Sequence, residues 1–457
     1  MRLGRIEPVV RDSQRSAVRD YQRFAENHPL RPLHSSHRWV SSAVLSARSN
    51  LTLLLALSMG AFSIGTDSFV INGLLEDIAA DLRVTRSGAG QLVSVFALVY
   101  ALSAPVLAAV TGALRRKRLL LIAMVTFVAA NALGAVAPDY PVLMLSRVLA
   151  ALGAGLYIPC GIAITVGITP EERRGRAIAL VAGGMSAATA LGVPIGTLVG
   201  SMGGWRTTLV LVAALAALSA VVLAVALPQV PTPPAVTVRE RLRVAGHPGV
   251  LTALLSNSLA CAGVFTVFTY IAPLTTTTTR VGSGGVSAFL LVWGVAAVLG
   301  SALGGRAADA VGGLRAYRTA TAVLLAGLIA MAVLTLPEPS GSLPSRALFG
   351  LVLAVISVAC WALPTAQNHR IAGLDSQAPT VALSLNSSSS YLGAAIGGAV
   401  GGLALGNGSM TGLVLTGSGI TVLALLVLTA TARLSGTGRS GTVQGVSPAR
   451  TDLPAAD

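Results

Sequence analysis

From residue 51 onward the chain is written as long apolar runs separated by short polar connections. Twelve runs stand out, each about 18–28 residues long and so able to cross a hydrocarbon core about 30 Å thick. The first six are Leu51–Leu75, Gln91–Leu114, Leu119–Val136, Pro141–Ile168, Ala177–Ser201 and Thr207–Leu227. The last six are Pro248–Leu274, Val286–Leu303, Thr319–Leu336, Ala347–Gln367, Pro379–Leu405 and Met410–Ala432. The pattern predicts an all-α membrane protein with twelve transmembrane helices, numbered here as spans 1 to 12.

Composition agrees: 53% of the 457 residues are hydrophobic and 11% are charged, against roughly 25% charged in a soluble chain. A net charge of +15 would suit a nucleic-acid binder. The arginines instead flank apolar spans and form no interleaved basic-aromatic surface. Their placement orients the chain. One side of the predicted bundle holds Arg115, Arg116, Lys117, Arg118, Arg173, Arg174, Arg176, Arg239, Arg241, Arg243, Arg306, Arg315, Arg318 and Arg370. The other holds only Arg83, Arg86, Arg206, Arg280 and Arg346. By the positive-inside rule the first side is cytoplasmic, with both termini. The expected location is the cell inner (plasma) membrane.

Residues 1–50 are Arg-rich and lack the apolar core of a signal peptide. They read as a flexible cytoplasmic tail or as an over-long start, and 433–457 as a disordered tail. Pro228 to Gly246 (PQVPTPPAVTVRERLRVAG) is Pro-rich, then basic, and reads as a cytoplasmic linker at 228–247. It divides a six-helix bundle over 51–227 from a second over 248–432. The halves echo each other: TGALRRKR after span 2 matches GGRAADAVGGLR after span 8, and ALGVPIGTLVG in span 5 matches LGAAIGGAVGG in span 11. Such duplication is expected of a secondary transporter with a central cavity.

Several chemistries find no support. There is no phosphate-binding G-x-x-x-x-G-K-[ST] loop. Cys160, Cys261 and Cys360 fall inside apolar spans, without disulfide or metal spacing. No Ser/His/Asp set suggests hydrolysis, so neither an enzyme nor a cofactor is expected.

Asp67 is the most informative residue. A carboxylate in mid-span costs on the order of 2.5–3.5 kcal/mol by insertion scales, and chains keep one there for a partner or an aqueous cavity. Arg147, in span 4, sits at a matching depth of roughly 9–12 Å from the far surface. Burial favours the protonated acid and Arg147 favours the carboxylate. A site balanced between them can load and release a proton, and a fixed ion pair is the structural alternative. Glu76 and Asp77 read as solvated at the end of span 1, and His369 and Asp375 as loop residues. Gly192, Pro194, Gly196 and Gly200 in span 5, with Gly393, Gly397 and Gly401 in span 11, form small-residue faces for close helix packing. The same faces can act as pivots.

Taken in order, GTDSFVINGLLEDIAADL, LMLSRVLAALGAGLY, PEERRGRAIAL, ALGVPIGT and GGWR resemble the major facilitator superfamily, in particular its drug:proton antiporter branch with twelve spans, which includes arabinose-efflux-like and chloramphenicol-export-like permeases. The resemblance covers about Leu51 to Ala432. It departs from the family pattern in two places. The loop after span 2 keeps Gly112 and Arg115–Arg118 but lacks the acidic residue, and Val193 separates Gly192 from Pro194.

The resemblance implies proton coupling through Arg147 and Asp67. It implies cytoplasmic gating by Gly112, Arg115 and Arg116 in the first loop and by Gly305, Asp309, Gly312 and Arg315 in the second. It also implies a pocket lined from spans 1, 4, 7 and 10, with Ser63, Ser68, Asn72, Tyr157, Asn257, Phe268, Tyr270, Trp361 and Gln367 as candidates, and Asn386 and Tyr391 of span 11 beside them. So few charges favour neutral or weakly cationic substrates. The expected function is proton-coupled export of small drug-like or sugar-like molecules by alternating access, with the proton gradient as energy source, protons, substrate and lipid bilayer as partners, and a monomeric state. A sugar-like uptake carrier or facilitator is the alternative, and a membrane enzyme or receptor without transport is the remote one.

Overall fold

The computed structural model describes residues 36–111, 114–170, 173–228, 243–244, 246–336, 341–372, 379–406 and 409–437. Residues 1–51 form one unit, helical from Ser36; residues 52–457 form the other. Most of linker 228–247, residues 1–35 and 438–457 of the two tails, Gly112, Glu171, Glu172 and Asp375 lie outside the described residues, while 36–50 and 433–437 are helical.

Twelve helices among the described residues are long and apolar enough to cross a membrane. They are Leu51–Asp81, Arg86–Leu107, Arg116–Ala135, Tyr140–Ile168, Arg176–Gly203, Trp205–Ala226, Pro248–Phe268, Gly284–Val311, Gly313–Leu334, Leu343–Ile371, Val381–Gly406 and Met410–Ala430. The protein is a multi-pass membrane protein of helices alone. Helical segments are the expected solution because every backbone polar group in lipid must be satisfied within the segment. The face bearing Arg115–Arg118 and Arg315 is called the basic face below, and the opposite one the far face.

Several helix ends differ from the hydropathy reading, each for a local reason. Span 1 runs to Asp81 rather than Leu75, because Leu74, Leu75, Ile78 and Ala79 continue a buried apolar stripe. Arg83, at φ 53, then turns the chain. Glu76 and Asp77 are therefore helical, and Glu76 is not simply solvated: it pairs with Arg86 at 2.9 Å and accepts from Thr276 Oγ1 at 3.3 Å. Span 2 begins early, at Arg86, where the Thr85 hydroxyl caps the Gly88 N–H. Span 7 breaks at Thr269–Tyr270 and resumes as Ile271–Thr279. The expected loop between spans 8 and 9 shrinks almost to one residue. Gly312, at φ 86, joins helices ending at Val311 and starting at Gly313. Gly305, Asp309 and Arg315 are consequently helical, and only Gly312 makes the turn.

Close packing falls into two sets. Span 3 packs on spans 4 and 6, with span 2 on span 4 and span 5 on span 6; spans 7 to 12 form the second set. The sets meet where span 2 packs on span 11 and span 5 on span 8. Glycine contacts at these meetings lie in the far half of span 2 and near the middle of spans 5 and 8. A Cβ at Gly398 would strike Ser94, one at Gly90 would strike Tyr270, and one at Gly294 would strike the backbone of Thr189 and Ala190.

The two glycine faces serve different neighbours. Gly192, Gly196 and Gly200 bring span 5 onto Thr66, Val70 and Leu74 of span 1. Gly393, Gly397 and Gly401 bring span 11 onto the backbone of span 7 at Ser258, Ala262 and Thr266. Span 5 also contains a widened π-helical turn, Ala188–Gly192, in which the Val193 N–H bonds the Ala188 carbonyl. Pro194 follows directly.

Gly397 and Gly419 separate the effects of packing from those of helix propensity. Gly397→Ala forces a methyl against the Ala262 carbonyl and Thr266 amide, whereas Gly419 has open space around it. In thermal melts of detergent-purified protein, Gly397→Ala should cost about 1–3 kcal/mol by overpacking. Gly419→Ala should be neutral or should stabilise by up to about 1 kcal/mol.

Candidate functional site

Asp67 and Arg147 meet in the interior of the first six spans. Arg147 Nη1 donates to Asp67 Oδ1 at 2.7 Å, and Nη2 donates to the Asp67 backbone carbonyl at 3.2 Å. The side chains are 0% and 2% exposed, respectively. The planar guanidinium fork thus holds both the side chain and the main chain of one residue, a geometry lysine's single ammonium does not reproduce. Phe96 of span 2 places its ring 4.5 Å from the guanidinium carbon. That contact is worth about 2 kcal/mol where water is excluded. Asp67 Oδ2 and Arg147 Nε have no hydrogen-bond partner among the described residues.

The matched-depth estimate needs revision, because span 1 is longer than expected and Asp67 lies farther from its helix end than Arg147 does from Tyr140. The ions meet nonetheless. A buried pair gains from its mutual attraction only after a large desolvation cost, so the bond contributes little net stability, while loss of one partner is severe.

The pocket candidates are distributed, and several are occupied in holding helices together. The Tyr157 hydroxyl donates to the Leu57 carbonyl at 3.0 Å inside the core of the first set. Tyr157 is therefore an interhelical tie and does not line an opening. Gln367 Nε2 likewise donates to the Ala253 carbonyl at 2.6 Å. Asn257 donates to both Ser389 Oγ and Ser390 Oγ at 2.8 Å, tying span 7 to span 11. Asn386 Nδ2 donates to Asn368 Oδ1 at 2.9 Å. Ser63 and Ser68 bond carbonyls of their own helix, at Met59 and Ile64. Asn72 is fully buried, and neither amide atom has a partner among the described residues.

The aromatic candidates gather between the two sets of spans. Phe69 of span 1 lies 6.1 Å from Phe265, 6.3 Å from Phe268 and 6.1 Å from Trp361. Phe268 stacks on Trp293 at 4.2 Å, and Tyr391 of span 11 stacks on Tyr100 of span 2 at 3.8 Å. The Tyr270 hydroxyl donates to the Gly398 carbonyl at 2.9 Å, beside the break in span 7. Sequence reasoning missed Phe69, Phe96, Tyr100, Phe265 and Trp293. Phe96 lies on Arg147 and the other four join the aromatic contacts described above, a choice of neighbour that hydropathy does not record.

The candidate gate residues do not form one cluster. Asp309 lies 3.9 Å from His369 Nε2. Arg315 faces a groove beside span 12. Arg115 is exposed, and the Arg116 carbonyl accepts from Cys160 Sγ at 3.3 Å.

Residues 57–373 match the family model described as Major Facilitator Superfamily. The chain is 33% identical over 386 residues to the inner membrane transport protein YdhP of Escherichia coli O157:H7, covering 83% of this chain and 96% of that one. It is 32% identical over 359 residues to a chloramphenicol resistance protein of Streptomyces lividans, covering 78% and 89%. It is 30% identical over 351 residues to a probable sugar efflux transporter of Mannheimia succiniciproducens, covering 76% and 85%. Among solved structures, a D-xylose-proton symporter superposes with a TM-score of 0.66 at 16% identity, covering 83% of this chain and 97% of that one. This last likeness concerns the fold alone.

A single and a double substitution measure the cost of leaving the carboxylate unpaired. Arg147→Met leaves a buried carboxylate uncompensated and should cost about 3–5 kcal/mol in folded-state stability, whereas Asp67→Leu/Arg147→Met should recover most of it. Fluorescence-detected melts of the two variants report the difference.

Proposed function

We propose that this chain, which belongs to the Major Facilitator Superfamily, is a proton-coupled exporter of small neutral or weakly cationic molecules. The observation carrying this reading is the fully buried Asp67–Arg147 pair. A carboxylate held at the balance between desolvation and a guanidinium is a group whose protonation alters the forces between two helices.

The energies are of the right size. Separating a buried pair involves about 3–5 kcal/mol, and turning a two-state population from 1:99 to 99:1 takes about 5.5 kcal/mol. Protonating Asp67 removes the anion that holds Arg147, and the arrangement that relied on the pair loses its advantage. The proton enters from the far side as substrate leaves. It departs on the basic side once the guanidinium reclaims the carboxylate.

The two sets of spans are the moving bodies. Glu76–Thr276, the approach of Gly90 to Tyr270 and the packing of Phe69 on Phe265 and Phe268 support reading this conformation as closed toward the far face. The arginine bias supports a cytoplasmic basic face and an inner-membrane location. The curated relatives named for chloramphenicol resistance and for sugar efflux support the outward direction and an uncharged substrate. Gating at the basic face is assigned to the Asp309–His369 contact and the Gly312 turn.

Asp67→Asn retains the shape of the side chain and removes its charge. In proteoliposomes, the variant should lose drug or sugar efflux driven by an imposed proton gradient by at least an order of magnitude, while unlabelled-for-labelled substrate exchange continues. Proton-driven export at the wild-type rate by Asp67→Asn defeats the mechanism. Wild-type flux that equilibrates substrate with or without an uncoupler would instead assign the chain to facilitators.

A further inference from the structure

Span 9 opens with two arginines where a helix favours acids. It starts at Gly313, behind the Gly312 turn, and Arg315 and Arg318 fall in its first two turns. The unsatisfied N–H groups at such a start carry the equivalent of roughly half a positive charge, so both guanidinium groups add like charge to like. No ion pair involves either arginine among the described residues. The nearby acid, Asp309, faces His369 instead.

Both arginines line an open groove of about 520 Å³. Thr319 and Ala322 continue its wall along span 9, Val311 of span 8 forms its lip, and Leu425 and Thr429 of span 12 close the other side. The wall changes character with depth. Guanidinium groups and hydroxyls lie toward the basic face, while Ala322 and Leu425 lie deeper along the helices. Val311 is exposed at the lip, and Val323, Val422 and Leu426 are further exposed apolar positions on spans 9 and 12, as expected of helix faces that meet lipid.

We propose that this groove binds an anionic phospholipid. Arg315 and Arg318 donate to the phosphate oxygens, Thr319 offers a hydroxyl donor, and an acyl chain lies along Ala322 and Leu425. The planar guanidinium fork donates two parallel hydrogen bonds to a pair of phosphate oxygens, and basic pockets between helices on the cytoplasmic side suit anionic head groups. The apolar lower wall is what selects a lipid over a soluble phosphate ester. The groove lies in the second set of spans, away from Asp67 and Arg147, and lipid binding there is measured without reference to transport.

The test uses full-length protein in neutral detergent, titrated separately with phosphatidylglycerol, phosphatidylcholine, glycerol 3-phosphate and inorganic phosphate, with bound species read by native mass spectrometry. The wild type should retain phosphatidylglycerol, bind phosphatidylcholine at least ten-fold more weakly, and retain neither soluble phosphate. Each surface arginine contributes about five-fold to anionic-lipid affinity. Arg315→Gln/Arg318→Gln should therefore weaken phosphatidylglycerol binding about 25-fold, and Arg315→Lys/Arg318→Lys should keep most of it. Equal retention of phosphatidylglycerol by the Gln pair overturns the assignment. So does wild-type binding of glycerol 3-phosphate as tight as that of the lipid, a comparison that requires no variant to fold.

Discussion

Asp67 is tolerable inside this bundle because Arg147 stands against it. With both charges nine-tenths or more buried, each is the other's only strong compensation, and the positions of spans 1 and 4 are joined through that bond. The Phe96 ring covers the guanidinium from span 2, bringing a third helix into the same arrangement. A purely apolar contact there would hold as well or better. What the ionic contact adds is sensitivity to a single proton.

Elsewhere in the interior the helices are held without charge; the other ion pairs among the described residues, such as Arg86–Glu76, are at least partly exposed. Lipid supplies no hydrophobic force between helices, so close packing and interhelical hydrogen bonds must do the work. Within the second set, the glycine face of span 11 brings two backbones together along span 7, and Asn257 fastens the same pair through two serines. Between the sets many contacts are of another kind, made by stacked rings and by glycines meeting side-chain hydroxyls such as that of Ser94, although Gly294 meets the backbone of span 5 directly. Rings can slide and part without leaving buried charges unpaired. A tight interior and a separable boundary are the requirements of bodies that rock as units.

The architecture was legible because apolar length in lipid is a strong signal, and twelve predicted runs correspond to twelve observed spans. Helix ends were less legible where polar residues belong to the helix. The LLEDIAAD segment continues span 1 because its apolar positions still recur at helical spacing, although its average polarity ends a hydropathy run. The Asp67–Arg147 contact could be anticipated, since each is rare in such a setting and the other is the only nearby remedy. The pocket residues could not be assigned from the chain alone. A tyrosine or glutamine in mid-span can line a cavity or satisfy a neighbour's carbonyl, and Tyr157 and Gln367 do the latter. That choice depends on helix rotation, which hydropathy does not record.

The widened turn at Ala188–Gly192 explains how span 5 keeps one face against span 1 for so long. Small residues recur there every fourth position, with Gly184 against Ser58, Ala188 against Gly65, Gly192 against Thr66, Gly196 against Val70 and Gly200 against Leu74. In an unbroken α-helix of 3.6 residues per turn, a four-residue repeat rotates by about 40° each time and would wander to the opposite side within about four repeats. One surplus residue in a single turn takes back about 100° of that drift. The bulge therefore acts as a phase corrector. Shortening the chain by one residue inside it would be absorbed by closing the turn, whereas the same deletion in Val193–Gly203 would swing the rest of the stripe away from its neighbour.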